Sequence, residues 1–353
     1  MDNKYYDGTK LLSMKDINGN TPEIFLVSGT RTAGKTTYFR RLVFNRFIKK
    51  KLKFIVLVRW SYQMGDIDDA FFKDIRELFF PYLTMVSESL VRDKFKELFV
   101  YPNGQEELKE SCGYCIAIND ASKVKEYSHL FSDADCIIFD EFQDIDNHYC
   151  PDEVKKFRSI HTSLARGHGK QVKYLPVYMM SNQVTILNPY YVGLGIATRL
   201  DDKTKFLKGE GFVLEITNNE NAKNAMLSSG FNRAWCDDSV LKHEAENVYL
   251  NDNYSFVEKV SGTSRYLCTL KYNGKNYAVR SFDDKGIIYV DSTADETFPT
   301  KFCVTTDDHQ INYVMLKNND IFFARLRYFF KMGCFRFKDL TCKEAIINTL
   351  AYR

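Results

Sequence analysis

The sequence predicts an α/β chain: a mainly parallel sheet flanked by helices over residues 1–200, then a smaller α+β domain over 251–353, with a charged, Asn-rich linking subdomain at 201–250 between them. Three observations carry this prediction. Apolar runs that read as strands alternate with helical segments between residues 24 and 182. The first run, IFLVS, passes directly into GTRTAGKT and then into a helical pattern. After residue 251 the chain changes to short alternating strands punctuated by Asn273-Gly274 and an Asp284-Lys285-Gly286 turn.

The stretch GTRTAGKT matches G-x-x-x-x-G-K-[ST] position by position, and it sits between a strand and a helix, the context in which that spacing has a mechanism. Gly29 and Gly34 let the backbone curl, so that the N–H groups of Thr30, Arg31, Thr32, Ala33 and Gly34 face a phosphate. Lys35 is placed to reach the β- and γ-phosphates of ATP, Thr36 to ligate Mg²⁺, and Thr37 to close the helix start, where the dipole favours an anion. The helix runs on through Tyr38, Phe39, Leu42, Val43 and Phe47 or Ile48, and its basic face (Arg40, Arg41, Arg46, Lys49, Lys50, Lys51) reads as solvated.

KFIVLVRW (53–60) is the next strand, apolar on both faces and ending at Arg59. DIDDAFFKDIRELFFPYL is a helix with an acidic start that Pro81 stops. YCIAIND is a strand, and SKVKEYS after it a basic loop. ADCIIFDEF (134–142) ends an apolar strand in Asp140-Glu141, an acid placed to hold Mg²⁺ and a second acid placed to polarise an attacking water. PDEVKKFRSIHTSLAR is a helix ending at Arg166-Gly167, and a strand over about 173–180 ends at Ser181-Asn182, with Pro176 near its start or at a bulge. Lys35, Arg59, Asp140, Glu141 and Asn182 thus collect at strand ends, where open α/β sheets bind ligands, and the core reads as a P-loop ATPase.

Beyond residue 200 a helical stretch is expected at AKNAMLSSGFNRAW, then strands at YSFVEKV, SRYLCTLKY, NYAVRSF and GIIYVD. Two helices follow: DIFFARLRYFFKM, capped by Asp320 and closed by Gly333, and TCKEAIINTL, opened by a capping box from Thr341 to Glu344. Tyr5 or Tyr6 reads as a surface aromatic within stacking reach of a base.

Bulk composition excludes several classes. The net charge of +3 points to no particular partner, so the local clustering of basic residues is the informative feature. Nine scattered cysteines suit free thiols in a reducing compartment, and CGYC (Cys112, Cys115) lacks the second pair a zinc site needs and reads as a loop entering a strand. No apolar run reaches membrane-spanning length and the N-terminus is not a signal peptide, so a soluble intracellular protein with no membrane partner is expected.

GTRTAGKT, CIIFDEF, MMSNQVTILNPYY, the hairpin KYNGKNY…GIIYVD and VTTDD (304–308) together resemble the DNA-packaging ATPases, or encapsidation proteins, of small tailed phages of the phi-29 type, over nearly the whole chain. The resemblance implies an ATPase core of the additional-strand, catalytic-glutamate (ASCE) class and a C-terminal RNase H-like domain. It implies a homopentameric ring at the portal (connector) of an empty prohead, in the host cytoplasm and absent from the mature virion. There it would drive double-stranded DNA inward with ATP and Mg²⁺, in some members on a structural packaging RNA. By position it makes Asp140 the magnesium acid, Glu141 the catalytic base, Arg31 a motor-type loop arginine, Arg166 a finger acting on a neighbouring subunit and Asn182 a sensor. Arg59 is expected to pair with Glu141 and hold it off until DNA engages. The nuclease set looks incomplete: RYLCTLKY has no acid, and Asp291, Asp307 and Asp308 have no first-strand partner, so no cleavage is expected. The basic residues Arg325, Arg327, Lys331, Arg336 and Lys338, or Lys123, Lys125 and the 49–53 cluster in the core, are candidates for phosphate contacts. The alternative is another P-loop nucleic-acid motor, a helicase or a terminase with a working nuclease.

Overall fold

A computed structural model describes residues 5–31, 33–146, 148–166, 171–197, 199–200, 204–217, 221, 224, 228–230, 234 and 256–351. Thr32, Gly167 and most of AKNAMLSSGFNRAW lie outside these residues.

The first unit is built on nine strands: β1 (Ile24–Gly29), β2 (Lys53–Val58), β3 (Leu83–Leu90), β4 (Phe95–Pro102), β5 (Glu110–Ala117), β6 (Ala134–Asp140), β7 (Val177–Asn182), β8 (Phe206–Gly209) and β9 (Phe212–Thr217). Their order is β3-β4-β5-β2-β6-β7-β1-β9-β8. The six from β5 to β9 in this order run parallel, and β3-β4 and β8 are antiparallel additions at the two edges. β7 lies between the strand that enters the phosphate loop and the strand that ends in the two acids, which is the additional strand of the ASCE arrangement. The central strands are apolar because both their faces are covered: Phe54, Ile55 and Leu57 in β2 and Ile137, Ile138 and Phe139 in β6 are buried.

Among the described residues the same unit holds helices α1 (Thr9–Ser13), α2 (Lys35–Lys50), α3 (Ile67–Phe79), α4 (Ala121–Glu126), α5 (Glu153–Leu164) and α6 (Pro189–Gly193). Phe39, Val43, Phe44 and Phe47 form the buried stripe of α2, spaced three and four apart. Phe44 meets Phe72 of α3 at 4.8 Å and Phe80 at 4.7 Å between ring centroids, pairs worth about 0.5–1.5 kcal/mol each beyond area burial. Helix α2 ends where Lys51 turns left-handed (φ 58°), with Lys49 and Lys50 in the last turn against the negative dipole end.

Several expectations change. Residues 206–217, read as part of a linking subdomain, extend the first sheet, because the buried run Phe212–Leu214 pairs parallel with β1. SKVKEYS is not a loop: residues 121–126 form α4, and Lys123 pairs with Glu126. Cys112 and Cys115 lie inside β5, fully buried, and burial pushes both thiols up, which leaves them packing groups rather than reactive ones. β7 begins at Val177, so Pro176 precedes it and gives its carbonyl to Ile137 N. The basic face of α2 is only partly solvated: Arg40 turns inward to Asp140, Arg41 stays exposed but lies over the Phe79 ring, and Arg46 donates to Tyr178 Oη.

The second unit holds a mixed six-stranded sheet of β10 (Arg265–Tyr272), β11 (Lys275–Phe282), β12 (Ile287–Asp291), β13 (Lys301–Cys303), β14 (Val314–Met315) and β15 (Phe335–Phe337), in the order β14-β13-β10-β11-β12-β15. α7 (Asp320–Lys331) and α8 (Leu340–Ala351) follow, so the unit has the expected α+β make-up. YSFVEKV forms no strand among its described residues; Val257 makes one isolated bridge to Phe337. The caps shift by a residue or two. Asn319 is the cap of α7, which begins at Asp320, and its Oδ1 accepts from Phe322 N; Asp339 Oδ1 accepts from Cys342 N and Thr341 Oγ1, so Thr341 is the second residue of the helix rather than its cap.

Asp308, buried, accepts from Asn273 N at 2.8 Å, Gly274 N at 2.7 Å and Thr305 Oγ1 at 2.6 Å, so one carboxylate ties the β10–β11 turn to the 305–308 loop. Replacing it by Ala leaves two turn amides without this acceptor. Chemical denaturation of Asp308→Ala is expected to show a loss of about 1–3 kcal/mol in the second unit's transition, and a melt superimposable on wild type would contradict this account.

Candidate nucleotide-binding active site

The carboxyl ends of β1, β6 and β7 meet in one cavity of about 680 Å³, the size of a nucleotide site. Arg31, Ala33, Gly34, Lys35, Thr36 and Thr37 line it from the phosphate loop, with Asp140 and Glu141 from β6 and Ser181 and Asn182 from β7. Tyr5, Tyr38, Arg41, Leu78 and Phe79 line it as well. The two loop glycines serve different ends. Gly34 has φ +90° and caps α2, a conformation other residues resist. Gly29 is needed for space: a Cβ there would overlap the carbonyl of Thr217 in β9.

Lys35, buried, donates to Gly29 O at 3.0 Å, Thr30 O at 2.6 Å and Asn182 Oδ1 at 3.4 Å. Asn182 thus reaches the lysine from the neighbouring strand, in register with Gly29. Burial pushes the Lys35 ammonium down to about 8, against a smaller opposing pull from Asp140. Thr36 Oγ1 donates to Asp140 Oδ1 at 3.1 Å, and Glu141 N donates to the same oxygen at 3.1 Å. One hydroxyl and one carboxylate, side by side next to a phosphate loop, are the hard oxygen donors Mg²⁺ takes when substrate phosphates and water complete its shell, so these residues fit the ion.

Glu141 sits at the mouth of the cavity with φ 54°, a left-handed conformation unusual for a residue with a side chain. Its carboxyl is raised above the usual range, first by desolvation against the walls of the site and then by Asp140, while Arg31 and Arg59 pull it back. Arg31 is exposed and lines the cavity.

Arg59 does not make the expected pair with the Glu141 carboxylate. It is buried, and its Nε donates to both carboxylate oxygens of Glu153 at 3.0 Å. Its Nη2 donates to the backbone carbonyls of Glu141 at 3.3 Å and Phe142 at 3.0 Å, and Nη1 lies 3.6 Å from Asp144 Oδ2. The physical reason is competition: Glu153, at the start of α5, brings a buried carboxylate to the guanidinium, and the other nitrogens go to the backbone of the acid turn and to Asp144 rather than to the Glu141 carboxylate. Glu153 also accepts from Tyr190 Oη at 2.8 Å and Cys150 N at 2.7 Å. Arg166 lies just past α5, exposed, and does not line the cavity of its own chain.

Residues whose roles sequence reasoning did not find complete the site, among them Tyr6, which is buried rather than the surface aromatic expected, while Tyr5 is exposed. Gln143 is buried and spans Ser28 Oγ at 2.9 Å and the amides of Val184 at 3.0 Å and Thr185 at 3.2 Å, tying the acid turn to β1 and to the segment after β7. Tyr6 N donates to Ala33 O at 2.9 Å and Tyr6 Oη to Glu215 Oε2 at 2.8 Å, which fastens the N-terminal segment to the phosphate loop and β9. Arg40 pairs with Asp140. Only Arg40 carried a readable signal, four residues after Thr36 on the same helix face.

Two outcomes follow. Glu153→Ala leaves the buried Arg59 charge uncompensated, and a loss of about 3–5 kcal/mol is expected in denaturant unfolding of the first unit. An undiminished midpoint would show that the pair does not hold the acid turn. Lys35 must be protonated to grip a triphosphate, and in the free protein it loses its proton near pH 8 rather than at the ordinary 10.5. ATP binding should therefore take up a proton above pH 8. Affinity should be flat below that pH and fall by up to about tenfold per unit above it, as read by calorimetry in buffers of different ionisation enthalpy. The sign is the reverse for nucleotide-free stability, where a depressed lysine favours the folded state increasingly between pH 8 and 10.5.

Comparison with known proteins agrees with this geometry. The sequence is 24% identical to the DNA packaging protein of Bacillus phage PZA over 352 residues, covering 99% of this chain and 96% of that protein. The DNA packaging protein of Bacillus phage phi29 gives the same identity and coverage. Among solved structures, the fold resembles a chain of the bacteriophage Phi-29 viral genome packaging motor assembly, with a TM-score of 0.66 at 22% identity over 99% of this chain and 98% of that one. It also resembles the Phi-28 gp11 DNA packaging motor, with a TM-score of 0.61 at 18% identity over 99% and 97%. The sequence profile described as podovirus DNA encapsidation protein (Gp16) matches residues 1–352, and the chain belongs to that family.

Proposed function

We propose that this chain is an ATP-hydrolysing motor that translocates double-stranded DNA into a prohead. The observation that carries the reading is the convergence of Lys35, Thr36, Asp140, Glu141 and Asn182 on one cavity, in a chain of the encapsidation family. Lys35 releases the loop carbonyls it now holds and turns to the incoming phosphates, with Asn182 reporting on the same lysine. Thr36 and Asp140 would hold Mg²⁺, which supplies charge neutralisation between the phosphate oxygens. Glu141, its pKa raised, takes the role of base toward the attacking water. Tyr5 and the stacked Arg41–Phe79 pair (4.0 Å) offer flat faces on which the base can stack.

The site is half of a larger one in this reading. Arg166, exposed and outside its own cavity, is suited to act on the γ-phosphate of a neighbouring subunit in a homopentameric ring seated on the portal. Its similarity to the DNA packaging proteins of phages PZA and phi29 and to a chain of the Phi-29 packaging motor assembly supports the packaging role. DNA is gripped through phosphates, since packaging accepts any sequence, and a structural RNA is a further partner for the basic residues of the second unit. Arg59 acts by holding the acid turn rather than by masking the base. The second unit is proposed not to cut DNA: Asp291 is paired with Arg280 at 2.9 Å and Asp308 is committed to the β10–β11 turn.

The test is ATP turnover with and without double-stranded DNA, alongside plasmid nicking in Mn²⁺. DNA-stimulated turnover without nicking is expected, slow for free subunits and faster once a ring forms on proheads. Lys35→Ala should fold normally by circular dichroism and package no DNA; packaging by that variant would overturn the proposal.

A further inference from the structure

Arg40 stands one turn after Thr36 on α2, and the two side chains take opposite oxygens of the same carboxylate. Thr36 Oγ1 is 3.1 Å from Asp140 Oδ1, and Arg40 Nη2 is 3.1 Å from Asp140 Oδ2. The arginine is held at its other end too. Nη1 donates to Ala70 O in the first turn of α3 at 2.7 Å, and the guanidinium lies 5.7 Å from the Phe71 ring centroid. Its side chain is only 18% exposed, so it is a fixed bridge and not a solvated surface charge. With Glu141 N also on Oδ1, Asp140 accepts from three donors that together fix its rotamer.

We infer that Arg40 is a positioning residue for the magnesium acid: it turns Asp140 so that Oδ1 faces Thr36, and it neutralises Oδ2 so that the site takes up a divalent cation with the nucleotide rather than ahead of it. The chemistry is that of a carboxylate whose second oxygen is already paired. An Asp with one oxygen on a guanidinium is a weak ligand for a bare hydrated cation, whose attraction depends on uncompensated charge. Phosphate oxygens restore that charge when nucleotide arrives, and the remaining oxygen, held beside the Thr36 hydroxyl, is already in place. The same bridge ties the acid to α3, so the orientation of Oδ1 depends on where that helix sits. This inference rests on the assignment of Asp140 as the magnesium acid.

The experiment uses the full-length protein and Mn²⁺ as the probe, read by electron paramagnetic resonance without nucleotide, together with kcat and KM for DNA-stimulated ATP turnover. Arg40→Gln removes the charge and the fork; Mn²⁺ binding in the absence of nucleotide should tighten about tenfold and kcat fall, with KM for ATP changed less than twofold. Arg40→Lys keeps the charge but cannot span Asp140 and Ala70 O together, so its Mn²⁺ affinity should stay at the wild-type value while kcat falls. A kcat that falls equally in both variants with no change in Mn²⁺ affinity in either would reduce Arg40 to a structural bridge and overturn the inference, as would wild-type values throughout. Asp140→Asn separates the two layers. If its turnover keeps the wild-type Mg²⁺ dependence, the assignment of Asp140 fails; if it loses that dependence while Arg40→Gln behaves as wild type, only the role of Arg40 fails.

Discussion

The buried ion pair between Arg59 and Glu153 is the constraint on which the carboxyl end of the first sheet depends. A charge this far from water is tolerable only when its partner and its remaining hydrogen bonds are all in place. Arg59 meets that demand by reaching three elements at once: α5 through Glu153, the acid turn through the carbonyls of Glu141 and Phe142, and Asp144 beyond it. Rings on two sides, Phe139 at 5.6 Å and Tyr149 at 5.0 Å, complete its surroundings. The result is a turn that holds Glu141 in a left-handed conformation it would not adopt on its own, with its carboxyl aimed into the mouth of the nucleotide cavity.

A second layer of fixed contacts runs beneath the phosphate loop. Ser28 at the end of β1 meets Ser181 Oγ at 3.1 Å, Gln143 Nε2 at 2.9 Å and Tyr191 Oη at 2.8 Å, all buried. A network of neutral donors and acceptors is specific because each member must find its partner. Here it joins the loop strand, the acid turn and the segment SNQVTILNPYY, whose Asn182 touches Lys35. A nucleotide that displaces Lys35 from Asn182 and the loop carbonyls therefore acts on a connected set of groups. The close approach of β9, which excludes any side chain at Gly29, pins the same loop from the other side.

Much of this was legible in the chain alone, for identifiable reasons. The phosphate loop, the two acids after CIIF and the parallel core follow from local rules: a spacing of glycines that only a curled backbone satisfies, apolar runs long enough to be buried on both faces, and acids at strand ends. The hairpin at Asn273-Gly274 was equally local. The strands at 206–217 were not, because a four-residue and a six-residue run in a charged, Asn-rich region carry little periodicity, and it is pairing with β1, nearly 200 residues earlier, that makes them strands.

What the sequence by itself determined was which residue types stand at the carboxyl edge of the sheet, and hence the kind of chemistry proposed for it. Only the tertiary structure decided which partner each charge takes. Arg59 was placed correctly beside Glu141, yet Glu153 has its side chain, since a guanidinium in a buried site goes to the carboxylate that is equally buried and not to the one at the solvent mouth. Arg40, whose spacing from Thr36 shows only which helix face it shares, turns inward because Asp140 and the carbonyl of Ala70 meet it there. Partner choice among like charges depends on burial and on distances across the fold, and neither is written in the local order of residues.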